Sequence, residues 1–168
     1  TGMISSKTDP TLQALGRVLG SLCVLTASKG KDDNNVKGAM LASWVSQASF
    51  SPPGLSIAVA KDRSVESLLQ KGDSFALNIL GEKDFRESLK RFTKPFSPGE
   101  DRFEGLDIEL TPNNQIIIPE SLAWLDASVK ERMECGDHWV IYAEVLHGNI
   151  LKSDSLTAVH HRKSGANY

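Results

Sequence analysis

The chain has 168 residues, 40% of them hydrophobic, which is enough for one sizeable core and too short for a multidomain assembly. Its 19 Lys and Arg residues nearly balance 21 Asp and Glu residues, giving a formal net charge of −2, so the basic excess typical of nucleic-acid binders is missing. No apolar run approaches the roughly 18 residues of a transmembrane helix. We therefore predict one globular domain over residues 1–168, with no nucleic-acid partner and no membrane span.

The two cysteines, Cys23 and Cys135, lie far apart and belong to no CxxC motif or Cys/His cluster. Buried thiols in a reducing compartment are the ordinary interpretation of such a pair, so we predict a cytoplasmic location. The chain starts at Thr1 without a charged and apolar leader. Either the numbering starts inside a longer polypeptide, or Thr1 and Gly2 precede an initiator Met3.

Local patterns predict a helix followed by short strands in the first half of the chain. Asp9, Pro10 and four apolar residues at helical spacing predict a helix over residues 9–20 that ends at Gly20. A β-type run predicts a strand over residues 22–27, followed by a polar turn. The same signals predict a strand over residues 55–60, a short helix over residues 65–69 capped by Asp62 or Ser64, and a strand over residues 75–80.

The second half is predicted to contain a charged excursion and then long strands. Of the 28 residues at 82–109, 14 are charged, which indicates an exposed excursion. The alternative is an anion site on a short helix formed by Arg86, Lys90, Arg91 and Lys94. Strands are predicted over residues 116–118, 122–134 and 139–150, with a hairpin turn at Gly136 and Asp137. Because strands dominate, we predict a mainly β fold, a closed or nearly closed antiparallel barrel with peripheral helices.

Most enzyme signatures are absent from the sequence. It contains no GxSxG, HExxH or Walker motif, and no GxGxxG after a first strand. The adjacent His160 and His161 would point to opposite faces of a strand, so they cannot easily hold one metal ion. We therefore expect no metal site.

The small residues of positions 36–50 and the charged turn after position 60 form the remaining candidate site. Small side chains let a ligand approach the backbone, and Ser43, Ser46 and Ser49 offer hydroxyl groups. Arg63 and Ser64 precede a helix start, where the helix dipole would favour a phosphate. These features suit a flavin or dinucleotide at a barrel rim. The residues alone leave open that the Ser and Ala side chains simply pack a tight strand crossing.

Several segments resemble the flavin reductase-like domain family in order and spacing. They cover nearly the whole chain: residues 38–50, Pro52-Pro53, Arg63-Ser64, residues 75–80, residues 98–103, Gly136-Asp137-His138, and the stretch from His161-Arg162 to Tyr168. The segment Ala42-Ser43-Trp44-Val45-Ser46-Gln47 is most similar to the C-terminal reductase modules of cyanobacterial diflavin flavodiiron proteins. This resemblance implies a domain excised from the C-terminus of a longer polypeptide.

The resemblance implies a split β-barrel of the Greek-key, FMN-binding type that is usually a homodimer. It implies a bound FMN, with FAD possible, that takes hydride from NADH or NADPH and passes electrons to an oxygen-reducing flavodiiron core. The flavin carries this chemistry, so no protein nucleophile is needed. The implied partners are a second copy of the chain and the other domains of the parent flavodiiron protein. The apolar residues 122–125 also predict a partner surface.

The resemblance assigns site residues as well. Flavin-binding positions would be Met40, Leu41, Ala42, Ser43, Trp44, Ser46 and Ser49, with Lys61, Arg63 and Ser64 at the phosphate. His138, Arg162 and Tyr168 would lie on the nicotinamide side, although His138 could equally be a turn histidine without a role. Three positions depart from the family, which often has Thr or Ser at Leu41, Asp at Ser51 and Tyr at His160.

Two other functions share this pattern. The first is a non-catalytic FMN-binding module, because the same fold hosts proteins of different activity. The second is a protein-interaction domain that uses Trp44, Trp124 or Trp139, although each of these fits a core or dimer contact as well.

Overall fold

The computed structural model describes residues 9–30, 35–94 and 100–168, and within these ranges the protein is built mainly from strands. The helices are α1 (Pro10–Leu15), α2 (Phe85–Thr93) and a 3-10 helix (Ser64–Leu68). The strands are β1 (Gly20–Ser21), β2 (Cys23–Lys29), β3 (Val36–Ala42), β4 (Val45–Ser49), β5 (Gly54–Ala60), β6 (Ser74–Ile79), β7 (Glu109–Leu110), β8 (Ile116–Ile117), β9 (Ala123–Cys135), β10 (His138–Ile150) and β11 (Val159–His160). No helix within the described ranges is long and apolar enough to cross a membrane.

Seven antiparallel strands form the main sheet, in the order β3-β2-β6-β9-β10-β5-β4. The edge strands β3 and β4 are consecutive, and only Ser43 and Trp44 separate them. The two edges of the sheet therefore meet, and the sheet curls into a split barrel. This confirms the predicted mainly β architecture.

The long hairpin of β9 and β10 spans the barrel. Each strand has 13 residues, and the turn between them places Gly136 at φ +59°, a conformation that favours glycine. The predicted strands 122–134 and 139–150 and the Gly136-Asp137 turn are thus confirmed to within one residue. Residues 122–125, predicted as a partner surface, lie at the start of this hairpin between β6 and β10. Leu122 is buried and residues 123–125 are partly exposed, and the partner surface stays a prediction.

Two apolar clusters lie on opposite faces of the sheet. The barrel interior is filled by fully buried side chains, among them Phe75, Leu25, Ile57, Leu77 and Ile141. The outer cluster lies under α2 and contains Val24, Leu80, Ile118 and Phe92. Alternation along a strand explains the division, because neighbouring residues such as Val24 and Leu25 point to opposite faces.

Asn78 connects β8 to the sheet. Its Oδ1 accepts from the Ile118 amide at 2.9 Å, and its Nδ2 donates to the carbonyls of Ile116 at 3.2 Å and Val24 at 3.3 Å. The buried Thr26 hydroxyl donates to the same Ile116 carbonyl at 2.6 Å. Because both the oxygen and the nitrogen of the buried Asn78 side chain have hydrogen-bond partners, its burial leaves no polar atom unsatisfied. Asn78 therefore fixes the segment that follows the charged excursion.

The first helix is shorter than predicted. Asp9 caps it as expected, with Oδ1 accepting from the Thr11 amide at 2.9 Å, but it ends at Leu15. Gly20 belongs to β1, which pairs with β11 near the other end of the chain. A Cβ at Gly20 would lie 1.7 Å from the Ser43 carbonyl oxygen, so a glycine is needed for this approach. The prediction of a helix to Gly20 is therefore wrong, because a long-range strand pairing overrides the local spacing.

The remaining short elements differ from the predicted ones only in detail. The predicted strands over residues 22–27, 55–60 and 75–80 correspond to β2, β5 and β6. The predicted helix after position 64 is a five-residue 3-10 helix whose cap is Arg63, with no side-chain capping bond, so the prediction of Asp62 or Ser64 is wrong. Residues 31–34 of the predicted polar turn lie outside the described residues, as do residues 95–99 of the excursion.

Candidate functional site

Arg63 lies where three clefts meet, beside the junction of β3 and β4. The basic cleft, about 500 Å³, is lined by Arg63, Ser64, Lys94 and Arg102 among others. The aromatic cleft, about 450 Å³, is lined by Arg63, Trp44, His138 and Tyr168. A smaller pocket of about 250 Å³ adjoins both and contains Leu41, Ser43 and His160. Arg63 can therefore contact ligand groups on either side of it.

The basic cleft lies between β3, the 3-10 helix and α2. Its charged lining comprises Arg63, Lys94 and Arg102 against the single acidic Asp62. Arg102 joins two of its walls, because one Nη donates to the Ala39 carbonyl of β3 and the other donates to the Phe92 carbonyl of α2 at 3.2 Å. The cleft therefore carries an excess of positive charge on a fixed frame, which suits an anion.

The pKa of the Arg102 guanidinium is lowered by its burial and, to a smaller extent, by the positive charge of Arg63. A lowered pKa means that the protein disfavours the charged form at this place. The positive charge of Arg63 therefore adds to the cost of burying the charged Arg102 guanidinium in the basic cleft.

The aromatic cleft contains three stacked or tilted rings. The Trp44 and His138 ring centroids are 4.6 Å apart with an interplanar angle of 29°, and the Trp44 and Tyr168 centroids are 5.0 Å apart. The Arg63 guanidinium lies 5.6 Å from the Tyr168 ring centroid. Flat rings and a cation in contact form a surface on which a planar ligand ring can stack.

His138 is held at both ring nitrogens. Nδ1 lies 2.7 Å from Asp137 Oδ1, and Nε2 contacts the Tyr168 hydroxyl. The hydrogen bond and charge of His138 lower the pKa of the Asp137 carboxyl, so Asp137 remains an acceptor and Nδ1 is the donor. The pKa of the Tyr168 hydroxyl, which contacts Nε2, is raised mainly by burial. The side chain of His138 is only 14% exposed.

Arg162 holds the last residues of the chain against the first helix. Its Nη1 donates to the Asn167 carbonyl at 3.2 Å, and its Nη2 lies 3.5 Å from the carbonyl of Leu15, the last residue of α1, and 3.5 Å from that of Val18. The guanidinium also lies 5.2 Å from the Trp44 ring centroid. Arg162 thereby keeps Tyr168 in the aromatic cleft.

Trp44 has an unused donor. Its Nε1 is buried and has no hydrogen-bond partner among the residues that the structure describes. Buried indole N–H groups usually find a partner, so this atom is a candidate contact for a ligand acceptor.

The comparison with known proteins decides the family. Residues 15–166 match the flavin reductase like domain. The chain belongs to the flavin reductase-like domain family. Diflavin flavoprotein A 1 of Synechocystis sp. is 53% identical to this flavin reductase-like domain over 156 residues, which are 93% of this chain and 26% of that protein. The chain thus spans about a quarter of the length of the curated relatives it matches.

Solved structures share the fold. An NADH:FAD oxidoreductase of Streptomyces globisporus C-1027 matches this flavin reductase-like domain with a TM-score of 0.77 at 22% identity, covering 99% of this chain and 95% of that one. A flavin reductase solved with NADP⁺ has a TM-score of 0.72 at 20% identity, covering 90% and 92%. At these identities the likeness establishes the split barrel alone.

The flavin reductase-like domain brings most of the predicted residues to these clefts. Met40 and Leu41 line the basic cleft with Arg63 and Ser64. Ser43 and Ser46 line a further groove of about 480 Å³ with Trp44 and Arg162. His138 and Tyr168 lie together in the aromatic cleft as described. The predicted flavin and nicotinamide positions are therefore neighbours in space.

Other predicted site residues lie outside these clefts or already form contacts with other side chains. Ala42 is buried in the barrel core, where Met40 also directs its side chain. Ser49 lies at the far end of β4, outside the clefts described above. Lys61 lines the aromatic cleft but pairs with Glu134, and its charge holds the pKa of that carboxyl below the usual range.

The alternative anion site on α2 has mixed charge in this flavin reductase-like domain. Lys90, Arg91 and Lys94 line a cleft of about 440 Å³ together with five acidic residues: Glu87, Glu100, Asp101, Glu104 and Glu120. Arg91 donates to the Glu104 carbonyl at 2.9 Å. This arrangement agrees with an exposed, mixed-charge excursion.

Arg102 lines the basic cleft but is not among the predicted site residues. The charge pattern predicts an exposed excursion over residues 82–109, although residues 98–103 are among the segments that carry the family resemblance. The match of residues 98–103 to the family is the one signal in the sequence that points to Arg102. Its approach to Arg63 is visible only in the folded structure.

Possible metal ligands and the two cysteines complete the description of the reactive side chains. Across residues 9–30, 35–94 and 100–168 no three His, Cys, Asp or Glu residues form a group able to hold a metal ion. Cys23 and Cys135 are free thiols, and burial raises the pKa of Cys23 to about 12. Cys23 therefore stays a protonated core side chain.

Proposed function

We propose that this flavin reductase-like domain binds FMN, with FAD as the alternative, and accepts hydride from NADH or NADPH. The observation that carries the proposal is the position of Arg63, which joins the basic cleft to the aromatic cleft. A flavin nucleotide would supply a phosphate to the basic cleft, and the hydride donor would supply a flat nicotinamide ring to the aromatic cleft. Arg63 at the junction therefore lies beside both ligands.

The residues present suit such a ligand. The three basic side chains of the basic cleft against one acidic side chain favour a phosphate. The buried Trp44 Nε1 lacks a partner among the described residues, and the carbonyl groups of an isoalloxazine ring are acceptors it could satisfy. Leu41, which departs from the family pattern, adds an apolar contact instead of a hydroxyl.

The five-residue 3-10 helix after Arg63 is too short to supply much of the predicted dipole. In this proposal Arg63 and Ser64 therefore hold the phosphate by charge and hydrogen bonds. Lys61 contributes only when it leaves Glu134.

A bound flavin supplies the hydride-accepting centre and the electron storage. The chain's own residues orient the reacting rings and exclude water. Trp44, His138 and Tyr168 offer stacked faces for the nicotinamide side, and Asp137 fixes the tautomer of His138. His138 and Tyr168 thus position the hydride donor.

We further propose that the electrons pass to an oxygen-reducing flavodiiron core in the same polypeptide. Support comes from the relatives, which are named diflavin flavoproteins and are about four times as long as the matched region. A cytoplasmic location accords with the two free thiols.

A homodimer is part of this proposal. Large apolar side chains are exposed at several places, the most exposed being Phe50, Leu156 and Val18. Apolar surface of this kind often marks an association site. Light scattering at micromolar concentration should give twice the chain mass, and a monomer mass would contradict the dimer.

The deciding experiment is anaerobic reduction of the purified, FMN-loaded chain. We expect yellow protein whose flavin absorbance bleaches on mixing with NADH or NADPH, faster than free FMN under the same conditions. Protein that retains FMN but does not bleach faster than free FMN would support the non-catalytic binding module. Failure to bind any flavin would contradict the proposal and favour the interaction domain.

A further inference from the structure

We propose that Glu134 limits the affinity for the hydride donor by competing with a phosphate group of that donor for Lys61. This inference rests on the proposed function, and it gives a role to a carboxylate that lies outside the predicted site residues. The ligand chemistry is a dinucleotide phosphate. Its source is either the pyrophosphate that NADH and NADPH share or the 2′-phosphate that only NADPH carries.

Lys61 belongs to the aromatic cleft, although its ammonium group points to β9. It lines that cleft together with Arg63 and His138. Its backbone amide donates to the Asp137 carbonyl at 3.0 Å, which fixes this part of the chain beside the hairpin turn. A phosphate that reaches Lys61 would therefore belong to a ligand in the aromatic cleft, where we place the hydride donor.

The Lys61 ammonium group forms an ion pair with the Glu134 carboxylate. The hydrogen bond from Lys61 and its charge lower the pKa of Glu134, so this carboxylate is negative at neutral pH. The two side chains are 35% and 64% exposed, respectively, and ion pairs in contact with water are weak. A phosphate, which accepts strong charge-assisted hydrogen bonds, can therefore replace the carboxylate as the partner of Lys61.

The charges around the aromatic cleft make Glu134 unfavourable for an anionic ligand. Besides a histidine, the titratable lining includes two basic side chains, Lys61 and Arg63, and two acidic ones, Asp62 and Asp137. These four charges cancel, and Glu134 adds a negative charge that occupies Lys61. Because a dinucleotide is negatively charged, this arrangement should weaken its binding.

Glu134→Gln is the direct test, because it keeps the size and polarity of the side chain and removes its charge. The change frees Lys61, so NADP⁺ should bind the FMN-loaded chain about threefold more tightly in calorimetric titrations. NADP⁺ and NAD⁺ are the probes, since oxidised dinucleotides donate no hydride and binding is measured without reaction. Tighter binding of both would support the proposal with the pyrophosphate as the source. Tighter binding of NADP⁺ alone would support it with the 2′-phosphate as the source.

A double-mutant cycle with Lys61→Gln tests whether Glu134 acts through Lys61. Lys61→Gln alone should weaken dinucleotide binding about threefold. In the Lys61→Gln chain, Glu134→Gln should lose most of its effect, because no ammonium group is left to release. The same tightening with and without Lys61 would mean that Glu134 acts by repulsion alone, and it would overturn the competition.

Glu131→Gln is the matched control. Glu131 lies on the same strand and forms an exposed ion pair with Lys71 at 3.0 Å, away from the aromatic cleft. The same charge change there should leave dinucleotide affinity within about 1.5-fold of the parent. The limiting rate of flavin reduction by NADPH should also stay unchanged in Glu134→Gln, because the rings that orient the nicotinamide are untouched.

The outcomes separate this inference from the proposed function. A parent chain that binds no flavin, or binds FMN but neither dinucleotide, contradicts the proposed function itself. Unchanged dinucleotide affinity in Glu134→Gln overturns the inference while the proposed function stands. Tighter binding of FMN without tighter binding of a dinucleotide would assign Lys61 to the flavin phosphate, and it would overturn the inference as well.

Discussion

The basic cleft and the aromatic cleft share Arg63 but are held together in different ways. The basic cleft is fixed by hydrogen bonds from Arg102 to backbone carbonyls of β3 and α2. The aromatic cleft depends on side-chain contacts to the last residues of the chain, where Tyr168 covers His138 and Arg162 holds the tail. Under the proposed function, the basic cleft would be a permanent site for the flavin phosphate and the aromatic cleft an adjustable one for the nicotinamide. Substitutions in the two clefts should therefore affect different measurements.

Arg63→Ala should have the largest effect, because this side chain serves both clefts. Charge-assisted contacts are worth about 1.5–3 kcal/mol each, so FMN binding should weaken by about tenfold or more. Flavin fluorescence titration measures this, with Arg86→Ala as the exposed control on α2. An unchanged titration would remove Arg63 from the phosphate site.

His138→Ala should affect the function of the aromatic cleft and leave that of the basic cleft unchanged. It removes a positioning contact on the nicotinamide side, so reduction of bound flavin by NAD(P)H should slow by about tenfold while FMN affinity stays nearly intact. Anaerobic single-turnover mixing gives the rate, and His147→Ala, an exposed histidine farther along β10, is the control. Equal rates would make His138 a turn residue without a role. Lost flavin binding would place it on the flavin side instead.

Tyr168→Ala should have a smaller effect confined to the hydride donor. The variant loses the ring contacts with Trp44 and Arg63, worth about 0.5–1.5 kcal/mol, so the apparent Kd for NAD(P)H should rise about two- to tenfold. Tyr168→Phe keeps the ring and should stay close to the parent. A tighter NAD(P)H complex in the alanine variant would mean that Tyr168 blocks this site.

His160→Asn should have the smallest effect, on stability alone. The pKa of His160 is lowered by burial and by the charges of Arg162 and His161, so the unfolded chain takes up the proton more readily. Parent stability should therefore fall as pH drops below the unfolded value of about 6.5, and the variant should lose less. Melting temperatures between about pH 8 and 5 test this, with His147→Asn as control. Parallel curves would contradict it.

The barrel strands could be predicted because they depend on patterns of residues that are close together in the sequence. A β-type run predicted β2 to within two residues at its ends, and the two long runs around the turn at Gly136 predicted the β9–β10 hairpin to within one residue. The family resemblance also assigned Arg63 and His138, whose roles stay predictions. None of this required knowledge of distant contacts.

The parts that were not predicted depend on distant pairings. Gly20 looked like a helix end, but β1 pairs with β11 about 140 residues away in sequence. Arg102 looked like one more solvated charge because nothing near it in sequence reveals Ala39 or Arg63. In each case a long-range contact overrides the local pattern.

The central position of β9 has a consequence for hydrogen exchange. Its first six residues pair with β6 on one side and β10 on the other, so that Leu125 faces both Leu77 and Gly148. Amides in such a strand exchange with solvent only when the whole barrel opens, whereas the two-residue pairing of β1 with β11 opens locally. Deuterium would therefore enter the tail that carries Tyr168 long before it enters β9, and the tail could detach and return while the barrel stays folded.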